Sequence, residues 1–281
     1  MKCTNCGKKL RKKQAFCMEC GAPAPEAPKK NKRKSDLILV CVLLIISLSI
    51  NFALLIGNLK PTKHEGNGFD SPEEAVTAYM KALSKGDIDA MVSTFAIESY
   101  VENYDLEERI ETTKAISMFE SGLCFPNSSD YVRELNNQAR IGWITTQIRN
   151  GYYVLLNAEI PETTMSFTGE DADDAIDDLI DQLSDPKFNK KLGSMRMGDI
   201  LTAEDLEVAR ENTKKLYKRY EYLNADELYD LVIEFEFDGR DYYLFMLTAQ
   251  YDGKWYNVML PSPLGLWSGL HANSGGMVEQ P

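Results

Sequence analysis

The longest hydrophobic feature of the chain is a run over 37–59 without a charged residue, in which 16 of 23 positions are Leu, Ile, Val or Phe. At about 1.5 Å rise per residue, some 20 helical residues cross the ~30 Å hydrocarbon core of a bilayer. The run therefore predicts a transmembrane helix. Beyond it the apolar positions become periodic. Ser71-Pro-Glu-Glu74 opens a helix with Ser as N-cap, Pro in the first turn and Glu closing a capping box. Ala75, Val76, Tyr79, Met80 and Leu83 then recur at helical spacing, Gly86 ends the run, and Asp87 caps a second short helix. Helical periodicity predicts further helices over 101–120 and 130–149, and a strand is predicted over 152–160. Ala172, Ala175, Ile176, Leu179, Ile180 and Leu183 make one apolar helix face, and 204–222 reads as helix. In the last third the runs become strand-like: 231–237, 242–251 and 255–260, separated by Asp238-Gly239 and Asp252-Gly253. Asp-Gly between apolar runs is a strong hairpin signal, so a three-strand antiparallel meander is predicted.

Charge divides the chain along the same lines. Residues 1–36 hold 11 Lys/Arg against 3 Asp/Glu, whereas residues 60–281 hold 20 against 40. A basic head, an uncharged run and an acidic body fit a single-pass membrane protein. Lys29, Lys30, Lys32, Arg33 and Lys34 precede the run and only Lys60 and Lys63 follow closely, so the positive-inside bias places the N-terminus in the cytoplasm and the acidic body outside. The same five basic residues suit anionic lipid headgroups at the inner face. A cleaved signal peptide does not fit, because the basic region is 36 residues long and no small-residue cleavage site follows. With only His64 and His271 present, both expected outside the core, Ser-His, Cys-His and poly-His metal catalysis are disfavoured.

Four cysteines occur as Cys3-Thr-Asn-Cys6-Gly and Cys17-Met-Glu-Cys20-Gly. Each C-x-x-C-G is a tight turn that aims two thiolates at one point, with Gly taking the positive φ beyond the second cysteine. Two such turns supply the four sulfurs of a tetrahedral structural zinc site. A reducing cytoplasm disfavours disulfides here. Residues 1–22 resemble the small zinc-ribbon family found at the N-terminus of many bacterial membrane proteins, in MKCTNCG and AFCMECG. The resemblance implies one structural Zn²⁺ on Cys3, Cys6, Cys17 and Cys20 and no catalysis at the metal. Lys8, Lys9, Arg11, Lys12 and Lys13 lie between the knuckles, with Phe16 the one aromatic near them, so protein contact or solvation is favoured over nucleic acid.

The helical opening at Ser71-Pro-Glu-Glu-Ala-Val, the Gly86-Asp87-Ile-Asp-Ala step and the meander closing on Asp252-Gly-Lys-Trp-Tyr256 are similar to the nuclear-transport-factor-2-like superfamily, a cystatin-like α+β cone. That resemblance implies helices packed on a curled antiparallel sheet around an apolar pocket, here lined by Tyr242, Tyr243, Phe245, Met246 and Trp255. Some superfamily members are enzymes that work in such a pocket, but no acid of this chain aligns with a catalytic position. The acids from Glu170 to Asp181 lie opposite the apolar helix face, near its start, where the dipole favours them. They read as a solvated face.

The expected fold class is therefore α+β: zinc ribbon 1–22, basic linker 23–36, membrane helix 37–59, linker 60–70, extracytoplasmic domain 71–262 and a flexible tail 263–281. The expected function is that of a membrane-anchored, non-catalytic envelope protein whose outer domain binds a protein or a neutral or cationic ligand. The overall arrangement is similar to envelope proteins of Gram-positive bacteria, some of them associated with cell-wall stress. The alternative is a small-molecule enzyme built on the apolar pocket.

Overall fold

The computed structural model describes residues 2–11, 14–25, 47, 63–116, 122–157, 166, 168–169, 172–208 and 210–281. The chain forms two compact units, Met1–Thr62 and Lys63–Pro281. The uncharged run 37–59 lies outside the described residues, Ser47 excepted. Among the described residues no helix is long and apolar enough to cross a membrane.

In the first unit the same turn is built twice. The Cys3 N–H donates to Lys8 O and the Gly7 N–H to Cys3 O, just as Cys17 N–H donates to Ala22 O and Gly21 N–H to Cys17 O. Gly7 and Gly21 stand at φ 72° and 69°, the left-handed conformation the sequence demands there. Short bridges Lys2–Lys9 and Phe16–Pro23 close each turn, and Cys3, Leu10 and Cys17 form a small buried cluster.

The second unit is a mixed fold of helices and one antiparallel sheet. Helices α1 (Pro72–Leu83) and α2 (Ile88–Ser93) begin at the expected caps: Ser71 Oγ accepts from Glu74 N–H, and the Asp87 carboxylate from Ala90 N–H. The described part of the stretch expected as one helix over 101–120 is broken into α3 (Glu98–Asn103) and α4 (Leu106–Thr113), because Asp105 caps the second piece by accepting from Glu108 N–H; residues 117–120 lie outside the described residues. Helix α5 runs Asp130–Leu155, which corrects the strand expected over 152–160. Ile144, Ile148, Gly151 and Leu155 are all buried at helical spacing, so the 3.6-residue period outweighs the β-prone run Tyr152-Tyr153-Val154; residues 158–160 are not described. Helices α6 (Ala172–Leu183) and α7 (Phe188–Leu192) follow. The helix expected over 204–222 is a turn, α8 (Arg210–Lys218) and a 3-10 turn (Glu221–Leu223), with Glu207 at φ 55° between the first two.

The sheet has strands β1 (Arg196–Leu201), β2 (Glu227–Phe237), β3 (Arg240–Tyr251), β4 (Lys254–Met259) and β5 (Met277–Glu279), in the order β1-β2-β3-β4 with β5 also on β3. Asp238-Gly239 and Asp252-Gly253 take φ 50°/80° and 51°/73°, as a type I′ hairpin turn requires. The meander is thus the one expected, and β1 and β5 are additions. Residues 263–281, expected as a flexible tail, instead form α9 (Leu264–Trp267) and β5, with Met277 buried opposite Leu244.

Odd-numbered residues of β2 (Leu231, Ile233, Phe235, Phe237) and even-numbered residues of β3 (Tyr242, Leu244, Met246) form one sheet face, which α1, α2 and α5 cover. The other face carries Val232 and Phe245, packed on Val208 and Leu264. Three polar side chains tie the helices to the sheet. Asn257 Nδ2 donates to Ala75 O and Thr94 Oγ1, Gln147 bonds both backbone groups of Leu260, and Arg140 donates to Ala96 O and Val258 O.

The segment expected as a linker over 60–70 is fastened from residue 64 onward. The buried Glu65 carboxylate accepts from the N–H groups of Ile97 and Ser99 and from Ser99 Oγ. The Glu98 carboxylate accepts from the N–H groups of His64 and Glu65 in return. Phe69 and Trp255 exchange both backbone bonds along the outer side of β4.

Candidate functional site

The four head cysteines converge. All their sulfurs lie within 4.8 Å of one another, and the Cys3–Cys20 and Cys6–Cys17 pairs are 3.6 Å apart. Zinc holding four thiolates at ~2.3 Å sets the sulfurs ~3.8 Å apart in a tetrahedron, so the residues fit that ion. The chemistry agrees, because zinc binds thiolates. The N–H groups of Cys6 and Asn5 stabilise the Cys3 thiolate and lower its pKa to about 6. Those of Glu19 and Cys20 lower that of Cys17, whereas Cys6, against the pull of the Lys8 N–H, is raised to about 12 by the neighbouring thiols of Cys20 and Cys17 with which it shares protons. Four protein sulfurs leave no open coordination position, which makes the site structural. The head is thus suited to binding structural zinc. Of the interleaved bases, Lys8 pairs with Glu19 at 2.7 Å. The membrane-surface bases Lys29, Lys30, Lys32, Arg33 and Lys34 lie outside the described residues.

In the second unit the five expected pocket residues are divided between the sheet faces. Tyr242 and Met246 belong to the core under the helices, while Phe245 and the partly buried Tyr243 belong to the opposite cluster. Trp255 lies on β4, bridged to Phe69. Successive residues of a strand point to opposite faces, so 242, 243, 245 and 246 cannot all line one pocket. Tyr242 edges a cleft of about 520 Å³ beside Phe188 and Arg240.

A larger cleft, about 830 Å³, lies between the 202–208 turn, α8 and the start of β2. Tyr217, Tyr220 and Tyr229 wall it, and Asp230 lines it. Asp230 is 1% exposed, next to fully buried Val232 on the same strand face and opposite fully buried Leu247 of β3. Among the described residues no ion pair reaches its carboxyl oxygens, and the hydroxyls of Ser262 and Tyr217 are its nearest polar company. Its backbone N–H donates to the Tyr217 hydroxyl at 3.1 Å. Burial raises the carboxyl pKa to about 7, against smaller downward pulls from the hydroxyls of Ser262 and Tyr217. Burial likewise raises the phenols of Tyr217 and Tyr220. Ser262 lines a neighbouring cleft of about 510 Å³, which shares Tyr220 as a wall.

A second buried charge, Arg140, stacks its guanidinium 3.8 Å from the ring centre of Tyr100 and 4.8 Å from that of Trp143. Its Nη1 has no partner, and burial lowers its pKa. Cys124 lies nearby, pushed up to about 12 by burial and thus an inert thiol. Neither Asp230 nor Arg140 was singled out by sequence reasoning. Asp230 alternates with Leu231 and Ile233 as Glu234 and Glu236 do, so it reads as the solvent side of an amphipathic strand. What distinguishes it is cover from residues distant in the chain, Tyr217 and Ser262 among them, which no local pattern reveals.

A zinc-ribbon domain family model matches residues 2–24. No curated protein matches the sequence. Among solved structures, a cystatin-like protein from Ruminococcus gnavus is similar at 16% identity and a TM-score of 0.47, over 75% of this chain. The chain spans 44% of that neighbour's length, and a likeness of this degree says nothing about ligand or activity.

Proposed function

We propose that the chain is a membrane-anchored binding protein, with a structural zinc ribbon in the cytoplasm and a non-catalytic α+β domain outside the cell. The anchor rests on the uncharged run 37–59 and on the change from a basic to an acidic chain across it. The binding role is carried by one observation: the cleft of about 830 Å³ beside Asp230, a size that suits a small molecule. Among the described residues that line that cleft there is no His, Cys or Ser. A role in the envelope, with occupancy of the outer domain relayed to the zinc head, is the finer form of this reading.

Topology tests it. Asp173 is exposed on α6, so Asp173→Cys should react with a membrane-impermeant maleimide on intact cells. Labelling confined to lysed cells would reverse the orientation, and recovery of the chain in the soluble fraction would remove the anchor. A second reading, a small-molecule enzyme, is favoured by the buried Asp230 carboxyl beside the Tyr217 phenol, two groups capable of moving a proton. Turnover of a cleft-bound compound, lost in Asp230→Asn, would establish the enzyme instead.

A further inference from the structure

We propose that the cleft at Asp230 binds an organic cation: an ammonium group carried on an apolar or aromatic body, with the Asp230 carboxylate as its counter-charge. This rests on reading the second unit as a binding domain and names the ligand class of that same cleft.

Position carries the first part of the argument. Asp230 occupies a place in the sheet whose neighbours, Val232 and Leu247, are fully buried and apolar. A carboxylate there costs stability unless a charge pairs with it; the hydroxyls of Ser262 and Tyr217 favour the charged form only weakly, and among the described residues no cationic side chain pairs with it. Lys214 and Lys218 line the same cleft from α8, yet neither partners the carboxyl. An incoming ammonium would supply the missing charge and up to three donors at once.

The walls carry the second part. Three tyrosines line it, and aromatic rings attract cations through their quadrupole. Five acids line the cleft against the two lysines, so the local field repels anions and gathers cations. Size carries the third. About 830 Å³ is far more than a metal ion or free ammonium fills, so the charge must come with a body that covers the tyrosine and leucine surface. A neutral analogue of the same shape would leave the carboxylate unpaired, and discrimination against it follows from that.

Phenethylamine is the probe, with phenethyl alcohol and phenylacetate as neutral and anionic counterparts. The full chain would be titrated with each by calorimetry at about pH 8, where both the Asp230 carboxylate and the amine are charged. The amine should bind, and the alcohol and the acid should bind at least ~10-fold more weakly, which is ~1.4 kcal/mol. Asp230→Asn should lose at least ~10-fold in amine affinity while keeping the wild-type thermal midpoint or exceeding it. Ala203→Trp, which fills the cleft and leaves Asp230 in place, should abolish binding even if the Asn variant fails to fold. No amine binding, equal binding of the alcohol, or a folded Asp230→Asn chain that binds the amine as before would overturn the inference. A chain labelled from outside that ignores phenethylamine loses this inference and keeps its membrane placement. A chain in the soluble fraction that binds the amine through Asp230 keeps the inference and loses the anchor.

Discussion

Asp230 makes folding itself sensitive to pH, and the sign is set by the direction of its shift. Its carboxyl titrates near 3.8 in the unfolded chain and at about 7 in the fold. Between those values the folded chain holds a proton that the unfolded chain has released. Stability is therefore full below the lower value and falls as pH rises, by ~1.4 kcal/mol per unit, until the higher value is passed. Asp230→Asn never ionises. Its thermal midpoint should match wild type near the lower value and exceed it above neutrality, by up to roughly 4 kcal/mol of stability. The hydroxyls of Tyr217 and Ser262 and the cleft charges on Glu204, Lys214, Lys218, Glu221, Asp226 and Glu227 are the same in both proteins, so the difference isolates the one carboxyl. Equal pH profiles would contradict it. Arg140 is the opposite case, a buried charge whose removal should hurt. Arg140→Ala strands the carbonyls of Ala96 and Val258 and empties the space over Tyr100, so a loss of about 3 kcal/mol or more is expected in denaturant unfolding. Arg140→Lys, which keeps charge but loses the planar stack, should fall between. The four cysteines were legible in the sequence because their geometry is local, a turn of four residues made twice. Arg140 was not, because it bonds to Val258, 118 positions away.

At the scale of elements, the zinc knuckles and the sheet answer to different forces and should come apart independently. The described residues of the head bury little beyond Cys3, Leu10 and Cys17, too small a core to hold a fold without metal. Chelation under reducing conditions should collapse the amide signals of the head while the melting of Lys63–Pro281 stays unchanged; coupled loss of both would contradict two separate units. Purified chain should carry one zinc by elemental analysis, and Cys17→Ser should lower that figure. The C-terminal elements depend on a close approach instead. A Cβ at Gly275 would lie 2.0 Å from the Gly151 backbone nitrogen, so α5 and the segment before β5 touch backbone to backbone. Gly275→Ala should force them apart, at a cost of roughly 1–3 kcal/mol in denaturant unfolding. The hairpins were legible, since each Asp-Gly turn fixes its own register. The placement of β1 and β5 was not. Arg196–Leu201 and Met277–Glu279 are short strands specified by partners on β2 and β3 rather than by their own residues. The break between α3 and α4 had a visible signal, Asp105 followed three residues later by Glu108, and helical periodicity alone passes over it.

At the scale of the whole molecule, charge limits what can approach. Residues 60–281 carry 40 acidic and 20 basic side chains, and in the basic cluster Lys187 to Arg196 two of the four bases are answered from within. Lys191 bridges Asp185 and Asp238 at 3.1 and 3.0 Å, and Arg196 lies 3.7 Å from Glu236. Purified chain in chelator at low salt should therefore not bind an isolated anionic wall polymer. Tight, salt-sensitive binding would contradict this and make the basic clusters 187–196 and 210–219 the sites to mutate. The fastening of residues 64–69 has a mechanical corollary. Tension arriving along the chain from before Lys63 meets the Glu65–Glu98 clamp first and the paired Phe69–Trp255 bonds next. Peeling that segment away would bare the outer margin of β4 at Trp255 while leaving the β2–β3 hairpin gripped on both sides. A pull from that end would thus be turned into the opening of one sheet margin, a graded yield of the molecule under traction in place of wholesale unravelling.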